Sequence, residues 1–90
     1  MGNFGNDGQA ATIAEIKAQM DVLGWKQPDL VAASGVPTSS LHRYLAGTRD
    51  IPLPVVVEIA RALGLTHIEL FKRAQRQLDA GSSESRTRRK

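Results

Sequence analysis

Four polar residues lie close together in the chain and have side chains that can hydrogen-bond to the edges of DNA bases. Their spacing puts them on one side of an α-helix, and they are Thr38, Ser39, His42 and Arg43. The planar fork of Arg43 can donate two hydrogen bonds to guanine O6 and N7, which discriminates between bases by ~1–3 kcal/mol. The hydroxyls of Thr38 and Ser39 suit phosphate, an adenine edge or a thymine methyl group, and they specify a base more weakly.

The segment that carries these residues, 27–47, has the pattern of two short helices joined by a tight turn. Pro28 fits only in the first turn of a helix, where its missing N–H costs nothing, and Asp29 suits the positive end of the helix dipole. Gly35 offers a left-handed exit from the first helix, and Gly47 closes the second. The residues of the second helix expected to face inward are Leu41, Tyr44 and Leu45. Because the polar residues then point outward, this helix–turn–helix has a shape that fits the major groove of DNA.

Three further helices are predicted around this segment. The first begins near Thr12, because Thr12 and Glu15 have the capping-box spacing, and it ends at Gly24. The last begins near Thr66, where a second capping box occurs, and it ends before Gly81. A helix entered through two prolines lies between the loop after Gly47 and this last helix. The positions expected to face the core in these three helices are Ile13, Ile16, Met20, Leu23, Val56, Val57, Ala60, Leu63, Leu70, Phe71, Ala74 and Leu78. Five helices and no convincing strand predict an all-α fold.

The chain divides into one small domain and two polar ends. Residues 1–11 begin with a Gly/Asn-rich stretch and are expected to form a flexible arm, residues 12–81 form the domain, and residues 82–90 are expected to be a disordered basic tail. The tail accounts for the net charge of +3, because the rest of the chain has equal numbers of basic and acidic residues. The tail therefore either adds salt-sensitive attraction to DNA or only solubilises the chain.

Several functions are excluded by what the sequence lacks. Without cysteine there is neither a disulfide nor a thiolate site, and His42 and His67 have no further ligands near them, so we expect no metal and no cofactor. We expect no enzyme, because no paired carboxylates, phosphate-binding glycine loop or supported nucleophile–base pair is present. No apolar run reaches the ~20 residues of a membrane span and no signal peptide is evident, so a cytoplasmic protein without a membrane partner is expected.

The pattern over residues 12–73 resembles the Cro/phage-repressor type of helix-turn-helix protein, the XRE family. The matching residues are Gln27, Leu30, Val31, Gly35, Val36, Leu41, Arg43, Leu45, Gly47, Arg49, Ile51, Pro52, Ala60, Leu63 and Gly64. The resemblance implies a compact five-helix lambda-repressor-like domain. It also implies a sequence-specific transcriptional regulator that inserts helix 38–46 into the major groove of an operator in double-stranded DNA.

The resemblance also assigns roles to individual positions. The residues that it implies for base readout are Thr38, Ser39, His42 and Arg43. The residues that it implies for phosphate contact are Lys26, Gln27, Ser40, Thr48 and Arg49. Two positions depart from the family pattern. Pro37 stands where the family often has a capping Ser or Thr, and Leu45 stands where an acidic residue is common.

A homodimer is the expected form on DNA, because one recognition helix contacts only a few base pairs and such proteins bind half-sites ~34–36 Å apart. The candidate interface is the last predicted helix, where Ile68 lies off the inward stripe. The alternative is that this helix only closes the core. With no second domain, the dimer must be small or must form on DNA.

Two competing interpretations remain open from the residues. Arg43 could be an ordinary solvated arginine, and His42 could be a surface histidine rather than a base reader. The whole chain could be an antitoxin-like protein-interaction module built on the same fold. The polar outward face of helix 38–46 argues against the second interpretation, because a groove for a protein partner would be expected to expose more apolar residues there.

Overall fold

The computed structural model of the chain describes the backbone of residues 8–88 and the side chains of residues 8–80. This part of the chain forms five α-helices and no strand, so the all-α prediction is confirmed. The helices are α1 (Gln9–Leu23), α2 (Gln27–Ser34), α3 (Thr38–Ala46), α4 (Leu53–Ala62) and α5 (His67–Arg88).

The helices surround one apolar core to which each of them contributes. α1 packs against α5, α2 packs against α3 and α4, and α4 also packs against α5. The fully buried large side chains are Ile16, Leu30, Leu41, Ile59, Leu63 and Leu70. Each such side chain stabilises the fold by roughly 1.5–3 kcal/mol relative to an exposed position. α3 is therefore held through its apolar side by the same core as the rest of the domain.

The predicted core is largely confirmed, with two exceptions. Leu23 was expected to face inward but is 40% exposed, because it is the last residue of α1 and lies beyond its packed face. Ile59 was not among the expected core positions, yet it is fully buried. α4 contacts both α2 and α5, so a wider arc of its surface is covered than one stripe supplies. Val57, Phe71 and Leu78 are half-buried.

α1 begins earlier than the sequence predicted. Residues 9–11 were assigned to a flexible arm, whereas the helix starts at Gln9. The Thr12 hydroxyl does not cap the helix; it is buried and donates to the Gly8 carbonyl at 2.8 Å, four residues back. Two alanines precede Thr12, and alanine is the best helix former; Ala11 also becomes buried when the helix is extended. The rest of the expected arm, residues 1–7, lies outside the described residues.

α5 ends later than the sequence predicted. Its start is as expected, because the Glu69 N–H donates to the Thr66 hydroxyl at 3.0 Å. Its end was predicted before Gly81, with a disordered tail from residue 82, but the helix continues to Arg88. A glycine inside a helix costs only about 1 kcal/mol relative to alanine, and no proline follows to interrupt the backbone hydrogen bonds. Residues 89 and 90 of the expected tail lie outside the described residues.

Candidate nucleic-acid interface

The start of α2 is closed by a reciprocal pair of hydrogen bonds. The Lys26 N–H donates to the Asp29 carboxylate at 2.8 Å, and the Asp29 N–H donates to the Lys26 carbonyl at 2.9 Å. Pro28 occupies the first turn, where it sacrifices no helical hydrogen bond. The Lys26 side chain is exposed and that of Gln27 is half-buried, so both expected phosphate contacts stand at a well-defined helix end.

A three-residue turn sets the direction of α3 relative to α2. Gly35 has φ of 77°, a left-handed conformation that glycine adopts readily, and its N–H donates to the Val31 carbonyl at 2.9 Å. The Val36 N–H donates to the Ser34 hydroxyl at 3.2 Å, and the Val36 side chain is buried in the core. These hydrogen bonds and the burial of Val36 set the position of α3 relative to α2.

α3 begins at Thr38, as the sequence predicted, although Pro37 offers no capping hydroxyl. The Pro37 carbonyl accepts the first helical hydrogen bond, from the Leu41 N–H at 2.9 Å. The side chains that face the core are Leu41, Tyr44 and Leu45, as expected. The side chains expected to face outward are all exposed: Thr38, Ser39, His42 and Arg43. Ser40 is half-buried. α3 thus separates an apolar anchoring side from a polar outer side.

The outer side of α3 has polar groups that the domain itself does not use. Within residues 8–80, the Arg43 guanidinium and the His42 imidazole form no hydrogen bond or ion pair with another side chain or with the backbone. The segment 38–49 has two arginines and no carboxylate. Arg43 can therefore present its two-donor fork to a ligand without first breaking a contact in the protein.

A groove of about 430 Å³ runs beside α3 and joins two of the predicted contacts. It is lined by Gln27 and His42, and α1 contributes Lys17 and Asp21 to its wall. The structure therefore brings an expected phosphate residue and an expected base-reading residue to the same groove. Sequence reasoning missed Lys17, because nothing in the local pattern indicates that this part of α1 lies beside α3.

The loop after α3 holds the last two predicted phosphate contacts. The Thr48 N–H and hydroxyl both donate to the Arg43 carbonyl, at 3.1 and 3.3 Å. The Arg49 guanidinium lies 5.8 Å from the centroid of the Tyr44 ring, a cation–π distance. Gly47, with φ of 78°, ends α3 and turns the chain into this loop. Thr48 and Arg49 are both exposed and lie at the same end of α3 as Arg43.

The described part of the chain contains neither a cluster of metal ligands nor a membrane-spanning helix. No group of three or more His, Asp or Glu side chains there is arranged to hold a metal ion. Of the helices in residues 8–88, none combines the length and the apolar character that crossing a membrane requires.

Comparison with known proteins identifies the domain. A family model described as a helix-turn-helix domain matches residues 10–71, which runs from the first turn of α1 into α5 and includes α2, the turn and α3. The chain belongs to this helix-turn-helix family. The match agrees with the resemblance to the XRE type of DNA-binding protein, and a domain of this family is characteristic of a DNA-binding regulator. No curated protein and no solved structure matches the chain.

Proposed function

We propose that this helix-turn-helix protein is a sequence-specific transcriptional regulator, of the phage-repressor or Cro-like kind, that inserts α3 into the major groove of an operator. The observation that supports this most is the division of α3 into a buried apolar side and an outer side whose arginine, Arg43, has no hydrogen-bond or ion-pair partner within residues 8–80. A helix that is anchored by its apolar side and has exposed donors and no carboxylate of its own suits the major groove.

The proposed base contacts differ in strength. Arg43 reads guanine, because only its fork can make two parallel hydrogen bonds to one base edge. The exposed hydroxyls of Thr38 and Ser39 each make a single hydrogen bond to DNA. His42, which lines the same groove as Gln27, contacts a base edge. The proposed phosphate contacts, which position the helix without reading sequence, are Lys26, Gln27, Ser40, Thr48 and Arg49.

A homodimer on the operator completes the proposal. Two copies related by a two-fold axis place two α3 helices ~34–36 Å apart on successive turns of one face of the duplex. The proposed contact is the start of α5, where Ile68 is 57% exposed. Among the α5 residues whose side chains are described, Ile68 is the one large apolar side chain that is exposed, so the proposed dimer forms on DNA rather than before binding.

The test is selection of binding sites from a random duplex library, followed by titration of the selected site at several salt concentrations. A palindromic consensus is expected, and in Arg43→Ala the preference for guanine at one position of each half-site should be lost. Arg61→Ala is the matched control, because Arg61 is an exposed arginine of α4 whose guanidinium lies 3.9 Å from Glu58. If Arg43→Ala selects the same consensus as the unmodified chain, the assignment of Arg43 is wrong.

The competing function, an antitoxin-like interaction module, is distinguished by the same selection. A chain that enriches no sequence and binds duplex only weakly, with strong salt dependence, is not an operator-binding regulator. A stoichiometric protein partner that stays bound at high salt would then identify the fold as an interaction module.

A further inference from the structure

Gln9, the first residue of α1, makes two hydrogen bonds to a loop more than forty residues away in sequence. Its Oε1 accepts a hydrogen bond from the Ile51 N–H at 2.9 Å, and its Nε2 donates to the Asp50 carboxylate at 3.2 Å. The Gln9 side chain is half-buried. One amide group therefore ties the beginning of α1 to the loop between α3 and α4, residues 47–52.

Apart from the bonds to Gln9, the hydrogen bonds of this loop within residues 8–80 lie near its two ends, and the Arg49 side chain also lies against the Tyr44 ring. At its start, the N–H groups of Gly47 and Thr48 donate to carbonyls of α3. At its end, the Pro52 carbonyl accepts from the first turn of α4. Between them, the Ile51 N–H has Gln9 as its hydrogen-bond partner, and the Ile51 side chain packs against the core. Gln9 thus holds the middle of the loop directly beside the proposed phosphate contacts.

We infer that Gln9 is a positioning residue for DNA binding, which acts through Asp50 and Ile51 on Thr48 and Arg49. This inference rests on the proposed function. Two physical effects support it. A loop that is already ordered loses less conformational entropy on binding than a mobile one. The amide also holds the Asp50 carboxylate toward α1, and this is the acidic side chain adjacent in sequence to Arg49.

The first experiment compares Gln9→Ala with the matched variant Gln19→Ala. Gln19 lies on the same helix and also makes two long-range hydrogen bonds, to the Leu63 carbonyl and with Arg73, both at 3.2 Å. Gln9→Ala should weaken binding to every duplex roughly threefold to tenfold and leave the selected consensus unchanged. Gln19→Ala should change stability similarly and leave DNA affinity within roughly twofold of the unmodified chain.

The second experiment exchanges the amide of Gln9 and the carboxylate of Asp50 between the two positions. Gln9→Glu keeps an acceptor for the Ile51 N–H but places a second carboxylate beside Asp50, so it should weaken DNA binding. Adding Asp50→Asn provides an amide that can donate to the new carboxylate. In a double-mutant cycle on duplex affinity, the pair should be non-additive by roughly threefold or more. A general effect of charge is additive in this cycle and gives no such coupling.

A third measurement reports on the loop without DNA. In Gln9→Ala the amide hydrogen of Ile51 should exchange with solvent at least roughly tenfold faster, while the core amide of Leu41 changes only with global stability. Three outcomes would overturn this inference but leave the proposed function standing. They are unchanged exchange at Ile51, additivity in the double-mutant cycle, and a DNA affinity of Gln9→Ala equal to that of Gln19→Ala. A lack of duplex binding by the unmodified chain overturns the proposed function, and this inference with it.

Discussion

Two polar surfaces of this domain differ in how their arginines are satisfied. On the surface formed by α1 and α5, Arg73 donates to the Glu69 carboxylate and to the Gln19 side chain, both at 3.2 Å. On the outer side of α3, Arg43 has no such partner within residues 8–80. An arginine that is hydrogen-bonded to its neighbours contributes to the fold, whereas an exposed arginine without such a partner is available to a ligand.

The two surfaces also differ in the contacts that hold their helices to the rest of the domain. α1 and α5 are joined directly by polar side chains, including a hydrogen bond from Gln77 to the Glu15 carboxylate. α3 makes its attachment through its apolar side, where Leu41 is fully buried. Its polar side can therefore be changed without affecting what holds the helix. Substitutions on the outer side of α3 should therefore affect DNA binding, and substitutions on the α1–α5 surface should affect stability.

The largest effect is expected where α3 is anchored. Leu41→Ala removes a fully buried side chain and leaves a cavity, which should lower the free energy of unfolding by ~2–5 kcal/mol. Chemical denaturation monitored by circular dichroism measures this loss. Leu53→Ala is the control, because Leu53 is 56% exposed and should cost much less. Similar losses in the two variants would show that α3 is not held by the core in the way described.

The next largest effect is expected at Arg43, where DNA affinity should change and stability should not. Arg43→Ala should weaken binding to the selected operator by ~1–3 kcal/mol, because a two-donor contact to guanine is lost. Its free energy of unfolding should stay within about 0.5 kcal/mol of the unmodified chain, since Arg43 has no side-chain hydrogen bond or ion pair within residues 8–80 to lose. Titration of duplex and denaturation of the same preparation provide both numbers. A loss of stability comparable to the loss of affinity would contradict the distinction between the two surfaces.

The opposite result is expected on the other surface. Arg73→Ala should lower the free energy of unfolding by roughly 1 kcal/mol, a modest figure because the pair with Glu69 is partly exposed and screened by solvent. Operator affinity should not change beyond about 0.3 kcal/mol. Arg76→Ala is the control, because Arg76 lies 3.9 Å from Glu69 and is more exposed, so it should cost less than Arg73→Ala. Reduced operator affinity in Arg73→Ala would place the α1–α5 surface in the DNA interface.

The recognition helix could be predicted from sequence because every signal that defines it is local. The inward positions Leu41, Tyr44 and Leu45 follow helical spacing, and glycines at 35 and 47 mark the turns on either side. The polar residues had to occupy the remaining surface. Local periodicity therefore predicted both the anchor of α3 and the exposure of its polar side chains.

The side-chain contacts that α1 makes with distant parts of the chain could not be predicted in this way. The spacing of Thr12 and Glu15 is that of a capping box, but in the folded chain the hydroxyl bonds to Gly8 and the carboxylate accepts from Gln77 on α5. Gln9 was assigned to a flexible arm, whereas its partners lie more than forty residues away. Such contacts depend on which helices become neighbours, and no short window of sequence contains that information.

The smallest effect is expected at Arg49. This arginine both contacts another side chain of the protein and is proposed to contact DNA. Arg49 rests on the Tyr44 ring at 5.8 Å and also stands at the proposed phosphate contact. Arg49→Ala should weaken binding to all duplexes by roughly 0.5–1 kcal/mol and reduce the slope of log affinity against log salt by about 1. Arg49→Lys should restore the salt slope, because a lysine retains the charge for phosphate even though its stacking on tyrosine is weaker. If the salt slope is the same in all three proteins while stability falls in Arg49→Ala, then Arg49 serves the fold alone. The loop, like the α1–α5 surface, would then contribute to stability rather than to DNA binding. Arg43 would be the one arginine of segment 38–49 that binds DNA.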